Sequence, residues 1–253
     1  MLVDEVYPRP TVKTVIFQIR FPNLFYIESK IGDIQLKIMD EFPDSSLQIR
    51  RNVVVADLGP EVKEIPLEFA PEPAKKIWQF KSPKGYTLNV MSDSLDLTSQ
   101  LHKSYDRPEA DYRFRDVVEK VTGSFLEVTG IPTLSRIGLR YVNECPVPSK
   151  RSDVFREYYS TAFPLCRFPL EDSSEMLFRV VTRRDMLNLG YAEVLQKKDE
   201  EYKLIIDLDA FTTSIRAGDY LRCCDELHAL IVSEFGASIK QPVIDYMKGK
   251  DNG

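Results

Sequence analysis

The chain has 253 residues, of which 43% are hydrophobic and 29% are charged, ordinary values for a soluble globular protein. Its net charge of −5 excludes the overall basic excess that usually drives nucleic-acid binding, although a local basic patch is still compatible with it. No apolar run approaches the roughly 18 residues of a membrane helix. The start, MLVDEVYPRP, lacks the features of a signal peptide. We therefore expect a soluble, cytoplasmic protein.

The first predicted element is a strand, in which the apolar Val15, Phe17 and Ile19 alternate with Gln18 and Arg20. Alternation of this kind gives a strand one apolar face and one polar face. A helix, several strands and a long closing helix follow. A spacing of three or four between apolar residues places the two helices at about Leu24–Phe42 and Asp111–Val128. The Pro- and Glu-rich segment 57–76 is predicted to be an insertion or a crossing loop, because proline cannot donate to a β-ladder.

The second half begins with RIGLRYVNE, a predicted strand that carries Arg136 and Arg140 on the face opposite its apolar residues. The segment MLFRVVTRR predicts a further strand, with Arg179 and Arg183 on its polar face. A strand with Asp207 and Asp209 on one side comes next. A helix at about Asp219–Phe235 closes the half.

Three sequence landmarks recur in the same order in both halves and predict an internal duplication. They are the Pro-Thr before the first strand, the Asp-Ser-Ser before a later strand, and the Asp-Tyr before the closing helix. The halves divide near Gly130, where a glycine and then a proline signal the end of a helix. The predicted units are residues 1–130 and 131–253. The fold class is α+β, with an antiparallel sheet, helices packed on one face, and each half built as strand, helix, several strands and long helix.

The polar faces of the predicted strands share a set of arginines. Arg20 and Arg140 are expected at equivalent places in the two halves, as are Arg50 and Arg179. Two interpretations stay open. The arginines could pair with Asp207 and Asp209 across a solvated face, or they could anchor a binding partner through their planar guanidinium groups. The candidate partner-binding residues are Arg20, Arg50, Arg136, Arg140, Arg179 and Arg183.

The sequence offers little support for catalysis. The two histidines, His102 and His228, lack metal-ligand spacing, and His228 is expected on a helix face. Cys145 and Cys166 have no predicted base beside them, so we expect structural thiols. Phosphate-binding loops and nucleophile elbows are not found. We expect no cofactor, no metal and no enzymatic activity, and an enzyme ranks third among the functions considered.

The element order resembles a duplicated TATA-binding-protein-like unit, in which long helices grip a curved sheet. In addition, Pro10–Phe21, Arg136–Asn143, Asp207–Phe211 and Leu227–Phe235 resemble an uncharacterised, sporadically distributed bacterial family of conserved hypothetical proteins. The patchy distribution of that family suggests an accessory or regulatory protein, such as one of a bacterial defence operon. We therefore predict protein binding on the arginine-bearing face. Nucleic-acid binding on the same face is the alternative, and a homodimer is left open.

Overall fold

The computed structural model describes residues 6–50, 75–198 and 201–250, and within them it contains one nine-stranded antiparallel sheet. The order of the strands across the sheet is β2-β3-β4-β5-β1-β6-β9-β8-β7. The predicted α+β class with an antiparallel sheet is confirmed. The strands are β1 (Val12–Arg20), β2 (Asp44–Arg50), β3 (Lys75–Lys81), β4 (Tyr86–Val90), β5 (Ser94–Ser99), β6 (Thr133–Pro146), β7 (Met176–Arg184), β8 (Leu187–Lys198) and β9 (Glu201–Arg216). Nearly all of segment 57–76 lies outside the described residues.

The two strands at the centre of the sheet are β1 and β6, the first strands of the two predicted halves, with three further strands on the β6 side and four on the β1 side. On one side, β1 is followed outward by β5 and then β4; on the other, β6 is followed outward by β9 and then β8. In both cases the last strand of the half lies next to its first strand. A duplication and its unit boundaries stay predictions. The expected equivalence of Arg50 and Arg179 is wrong in sheet position, because β2 is the fifth strand from the centre on its side and β7 the fourth on the other.

Five helices are described, and they pack against one face of the sheet. The five helices are α1 (Ile27–Ile38), α2 (Phe114–Thr129), α3 (Ser152–Tyr158), α4 (Tyr220–Ser238) and α5 (Gln241–Met247). The two helices predicted in the first half are α1 and α2, and the helix predicted at the end of the second half is α4. The ends of these three helices differ from the predictions by one to four residues. None of them is long and apolar enough to cross a membrane.

Strand alternation places one face of the sheet under the helices. Val15, Phe17 and Ile19 of β1 are fully buried, as are Ile137 and Leu139 of β6. Each such side chain contributes roughly 1.5–3 kcal/mol when it leaves water. This apolar layer fixes the register, because a shift of one residue would turn every arginine of the polar face into the core.

The predicted helix stop at Gly130 is confirmed. Gly130 follows the last residue of α2 with a left-handed φ of 66°, and its N–H donates to the Leu126 carbonyl at 2.8 Å. A side chain would strain this conformation, which glycine adopts freely. The turn directs the chain from α2 into β6 at the centre of the sheet.

Candidate functional site

The face of the sheet that points away from the helices is the first candidate site, and we call it the open face. At its centre are Gln18 and Arg20 of β1, Arg136 and Arg140 of β6, and the two aspartates of β9, Asp207 and Asp209. These side chains meet because β1, β6 and β9 are adjacent strands and because alternate residues share a face. Three of the six predicted arginines are thus brought together.

Arg140 is ion-paired within the chain. Its Nε donates to Asp207 Oδ1 at 2.8 Å, and its Nη2 donates to the other carboxylate oxygen. Asp209 lies directly opposite Arg140 in the strand register, so the long side chain reaches diagonally to Asp207. The hydrogen bonds that Arg140 donates to Asp207 raise the pKa of Arg140 above its usual range, which keeps the guanidinium group charged.

Arg136 lies flat across its own strand and joins three neighbours. Its guanidinium donates to Gln18 Oε1 at 3.0 Å and to both oxygens of Asp209 at 3.0 and 3.1 Å. Its Cζ lies 4.7 Å from the centre of the Phe211 ring. Gly138 makes this position available, because a Cβ there would lie only 2.5 Å from Arg136 Nη1. A glycine between the two arginines is therefore explained by the space that the Arg136 guanidinium occupies.

The polar network continues toward β2. Gln18 Nε2 donates to Asp96 at 2.8 Å, and Arg20 Nε donates to Gln18 at 2.9 Å. Burial raises the pKa of Asp96 despite this hydrogen bond. Further along, Gln48 donates to Gln79, which donates to Asn89, at 3.0 Å in each case. The centre of the open face is therefore largely satisfied from within.

The end of the open face that is formed by β7 and β8 differs from the centre in charge and polarity. We call it the β7–β8 corner, formed by Leu177, Arg179, Val181 and Arg183 of β7 with Gly190, Ala192 and Val194 of β8. Leu177 and Val181 are 68% and 60% exposed. Arg179 makes no ion pair with any other described residue, and Arg183 donates to the Asp185 backbone carbonyl at 2.9 Å. The corner residues other than Arg183 form one wall of a groove of about 460 Å³, whose other wall includes the ion-paired Arg136, Arg140, Asp207 and Asp209.

Arg50 is separated from the other predicted arginines. It lies on β2, the strand at the opposite edge of the sheet, where it faces Lys75 across the ladder. The structure therefore divides the six predicted residues into a central group (Arg20, Arg136, Arg140), a corner group (Arg179, Arg183) and Arg50.

A second candidate site lies on the helix side and was missed by sequence reasoning. His102 and His228, the two histidines of the chain, line the same cavity of about 80 Å³ together with Tyr105 and Tyr141. The Tyr105 ring stacks on His228 with centroids 4.0 Å apart, and the Tyr141 hydroxyl lies 3.2 Å from His228 Nδ1. The space suits about two or three water molecules.

The groups around this cavity are held in fixed charge states. Burial, together with nearby His228, lowers the pKa of His102 to about 3, so it is neutral at physiological pH. Burial opposes ionisation of Asp225, but hydrogen bonds from Arg115 and Tyr105 outweigh it and lower the pKa of that carboxyl group. Burial raises the pKa of Cys224 to about 12, which keeps this thiol protonated and unreactive.

Metal chemistry, and thiol chemistry at Cys145, find little support in the described ranges. Among residues 6–50, 75–198 and 201–250, no group of three or more His, Cys, Asp or Glu side chains could hold a metal ion. Burial raises the pKa of Cys145, so it is a thiol rather than a thiolate at neutral pH. A nucleophile of the kind that cysteine enzymes use is not formed there.

No protein-family model, curated protein or solved structure matches the chain. Membership of the uncharacterised bacterial family stays a prediction.

Proposed function

We propose that this chain is a non-enzymatic accessory or regulatory protein that binds a negatively charged segment of another protein at the β7–β8 corner. The observation that carries the proposal is the uneven charge balance of the open face. Arg136 and Arg140 are neutralised by Asp209 and Asp207, whereas the corner arginines alternate along β7 with the exposed apolar side chains of Leu177 and Val181. Arginine beside apolar surface is a typical composition of a protein-binding hot spot.

The central ion pairs also favour a protein partner over nucleic acid. A nucleic-acid backbone laid along the open face would pass over Asp96, Asp207 and Asp209, which leave the arginines of the centre little net positive charge to attract phosphate groups. A protein segment can confine its acidic residues to the corner. Leu177 and Val181 give such a segment apolar surface that phosphate groups cannot use.

The test is selection of random linear peptides by display on the purified protein. We expect the selected peptides to combine acidic with apolar residues. Binding should fall by about tenfold in the double variant Arg179→Gln/Arg183→Gln, which corresponds to 1.4 kcal/mol. The matched control is Lys30→Gln/Lys37→Gln on α1, which removes the same charge from the helix side and should bind like the wild type.

Equal loss of binding in the two double variants would contradict the proposal, since only total charge would then matter. A selection without enrichment of acidic residues would contradict it too. Tighter binding of duplex DNA than of any selected peptide, with a steep dependence on salt, would favour nucleic-acid binding instead.

A further inference from the structure

We infer that the partner segment binds as an added β-strand along the outer edge of β7, with two acidic residues four positions apart, opposite Arg179 and Arg183. This inference rests on the proposed function and adds the conformation and the chemical pattern of the partner. Its three supports are the edge itself, a groove beside the edge, and the order of side chains along β7.

The first support is the edge. β7 is the last strand of the sheet and runs for nine residues, and in the described part of the chain only β8 pairs with it. Every second residue of such a strand directs its N–H and C=O groups away from its neighbour. Exposed edges of this length are templates for strand addition. β7 contains no proline that would interrupt a new ladder.

The second support is an apolar groove of about 440 Å³ beside the start of β7. Its lining includes residues of both faces of β7 and none of the described residues of β8, which places the groove along the outer edge. An added strand could insert a large apolar side chain there, opposite Phe178. The apolar residues of the lining are Phe163, Pro164, Phe168, Met176, Leu177 and Phe178.

The third support is the alternation of charge and apolarity on the open-face side of β7. Leu177, Arg179, Val181 and Arg183 follow one another at every second position. Residues directly opposite each other in an antiparallel pair interact most strongly. A complementary strand therefore has an acidic residue, an apolar residue, an acidic residue and an apolar residue at its own alternate positions.

A second copy of this chain is a less suitable occupant of the edge. β7 contains Arg179, Arg183 and Arg184 and no acidic residue, so pairing of two β7 strands would bring arginines of both copies together. Like charges on adjacent strands destabilise a pairing. Arg184 is already bound to Glu234 of α4, at 2.8 Å, and lies on the helix side.

The experiment uses the full chain and a synthetic peptide, Glu-Thr-Val-Thr-Glu-Phe-Val, which places its glutamates opposite Arg183 and Arg179 in antiparallel register. Two further peptides have the same side chains, with N-methyl groups on either the odd or the even residues. Only one of the two sets of N–H groups would point toward β7 in an added strand. Strand addition therefore predicts that one methylated peptide loses binding by about tenfold or more and that the other keeps it.

The outcomes separate the two proposals. If both methylated peptides bind like the parent, and binding still requires Arg179 and Arg183, docking at the corner holds and strand addition is refuted. If the parent peptide binds the Arg179→Gln/Arg183→Gln variant as well as it binds the control, docking itself is refuted. If the parent peptide does not bind while display-selected peptides do, the proposed side-chain pattern of the added strand is refuted and docking at the corner is not. Concentration-dependent dimers that are lost in the same variant would assign the edge to a second copy.

Discussion

Gly138 is the position on the open face where one added methyl group should most disturb the arginine network. A Cβ at this position would lie 2.5 Å from Nη1 and 2.9 Å from Cζ of Arg136, closer than such atoms can approach. The obstacle is the far end of a flexible side chain rather than backbone. We therefore expect Gly138→Ala to displace the guanidinium group of Arg136 and to leave β6 in place.

The magnitude follows from the contacts that Arg136 would lose, those with Gln18, Asp209 and Phe211. The side chains of Arg136 and Asp209 are 19% and 37% exposed, so solvent screening weakens the pair. We assign about 2 kcal/mol to the whole group of contacts. Replacing glycine by alanine within a strand stabilises by about 0.5–1 kcal/mol. The net expectation is a loss of about 1 kcal/mol in the free energy of unfolding.

The same substitution should change sign when Arg136 is absent. In an Arg136→Ala background there is no guanidinium group to displace, and Gly138→Ala should stabilise by about 0.5–1 kcal/mol. Urea unfolding of the four proteins of this double-mutant cycle, followed by circular dichroism, measures both values. The control is Gly190→Ala on β8, where a Cβ would make ordinary contact with Asp209 at 3.6 Å and should not destabilise. An equal cost of Gly138→Ala in both backgrounds would refute the displacement of Arg136.

Three further outcomes are expected. Arg140→Ala should lower the free energy of unfolding by at most about 1 kcal/mol in urea titrations, since its ion pair with Asp207 is partly exposed; a loss several times larger would contradict this assignment. The pKa of His102 is near 3 in the folded chain against 6.5 for the free side chain. Burial of the neutral ring therefore stabilises the fold fully above pH 6.5, and this stabilisation is lost as the pH falls toward 3. Across this range the free energy of unfolding should fall less steeply for His102→Gln than for the wild type, with a difference in slope of up to about 1.4 kcal/mol for each pH unit; parallel profiles would contradict burial of the neutral ring. Glu193 on β8 is 2% exposed and accepts hydrogen bonds from the Tyr191 hydroxyl at 2.6 Å and from the Ala162 N–H at 3.0 Å. Glu193→Ala should therefore lower the free energy of unfolding by about 2–4 kcal/mol, seen as a lower melting temperature. An unchanged melting temperature would show that these donors find other partners.

Period-two alternation was sufficient to predict which residues share a face of the sheet. Val15, Phe17 and Ile19 are buried and Arg20 is exposed, as their positions on the strand require. The order of the strands could not be derived in the same way, because it depends on which edges pair after the helices have packed. The matching of Arg50 with Arg179 failed for this reason, since similar local sequences were placed on strands at different distances from the centre.

The cavity lined by the two histidines could not be predicted from local sequence patterns. His102 lies in the loop before α2 and His228 lies within α4, with strands β6 to β9 between them in the sequence. Only tertiary packing brings them together, and neither residue has a spacing that suggests a site. The partial signal was His228 itself, a polar residue next to Leu227, which is fully buried on the inner side of α4.

The centre of the open face is ion-paired within the chain, whereas the corner arginines make no ion pair with another described residue, and this difference affects how a partner can bind. A partner that docked over the centre would have to break the bonds between Arg136 and Asp209, or between Arg140 and Asp207, before its own carboxylates could reach the guanidinium groups. The aspartates left behind would then face the partner as unpaired negative charges and would repel its carboxylates. At the corner, Arg179 can exchange water for a carboxylate without that cost. Substitutions of the central arginines should therefore lower stability modestly and leave binding in place, whereas substitutions of the corner arginines should lower binding and leave stability in place.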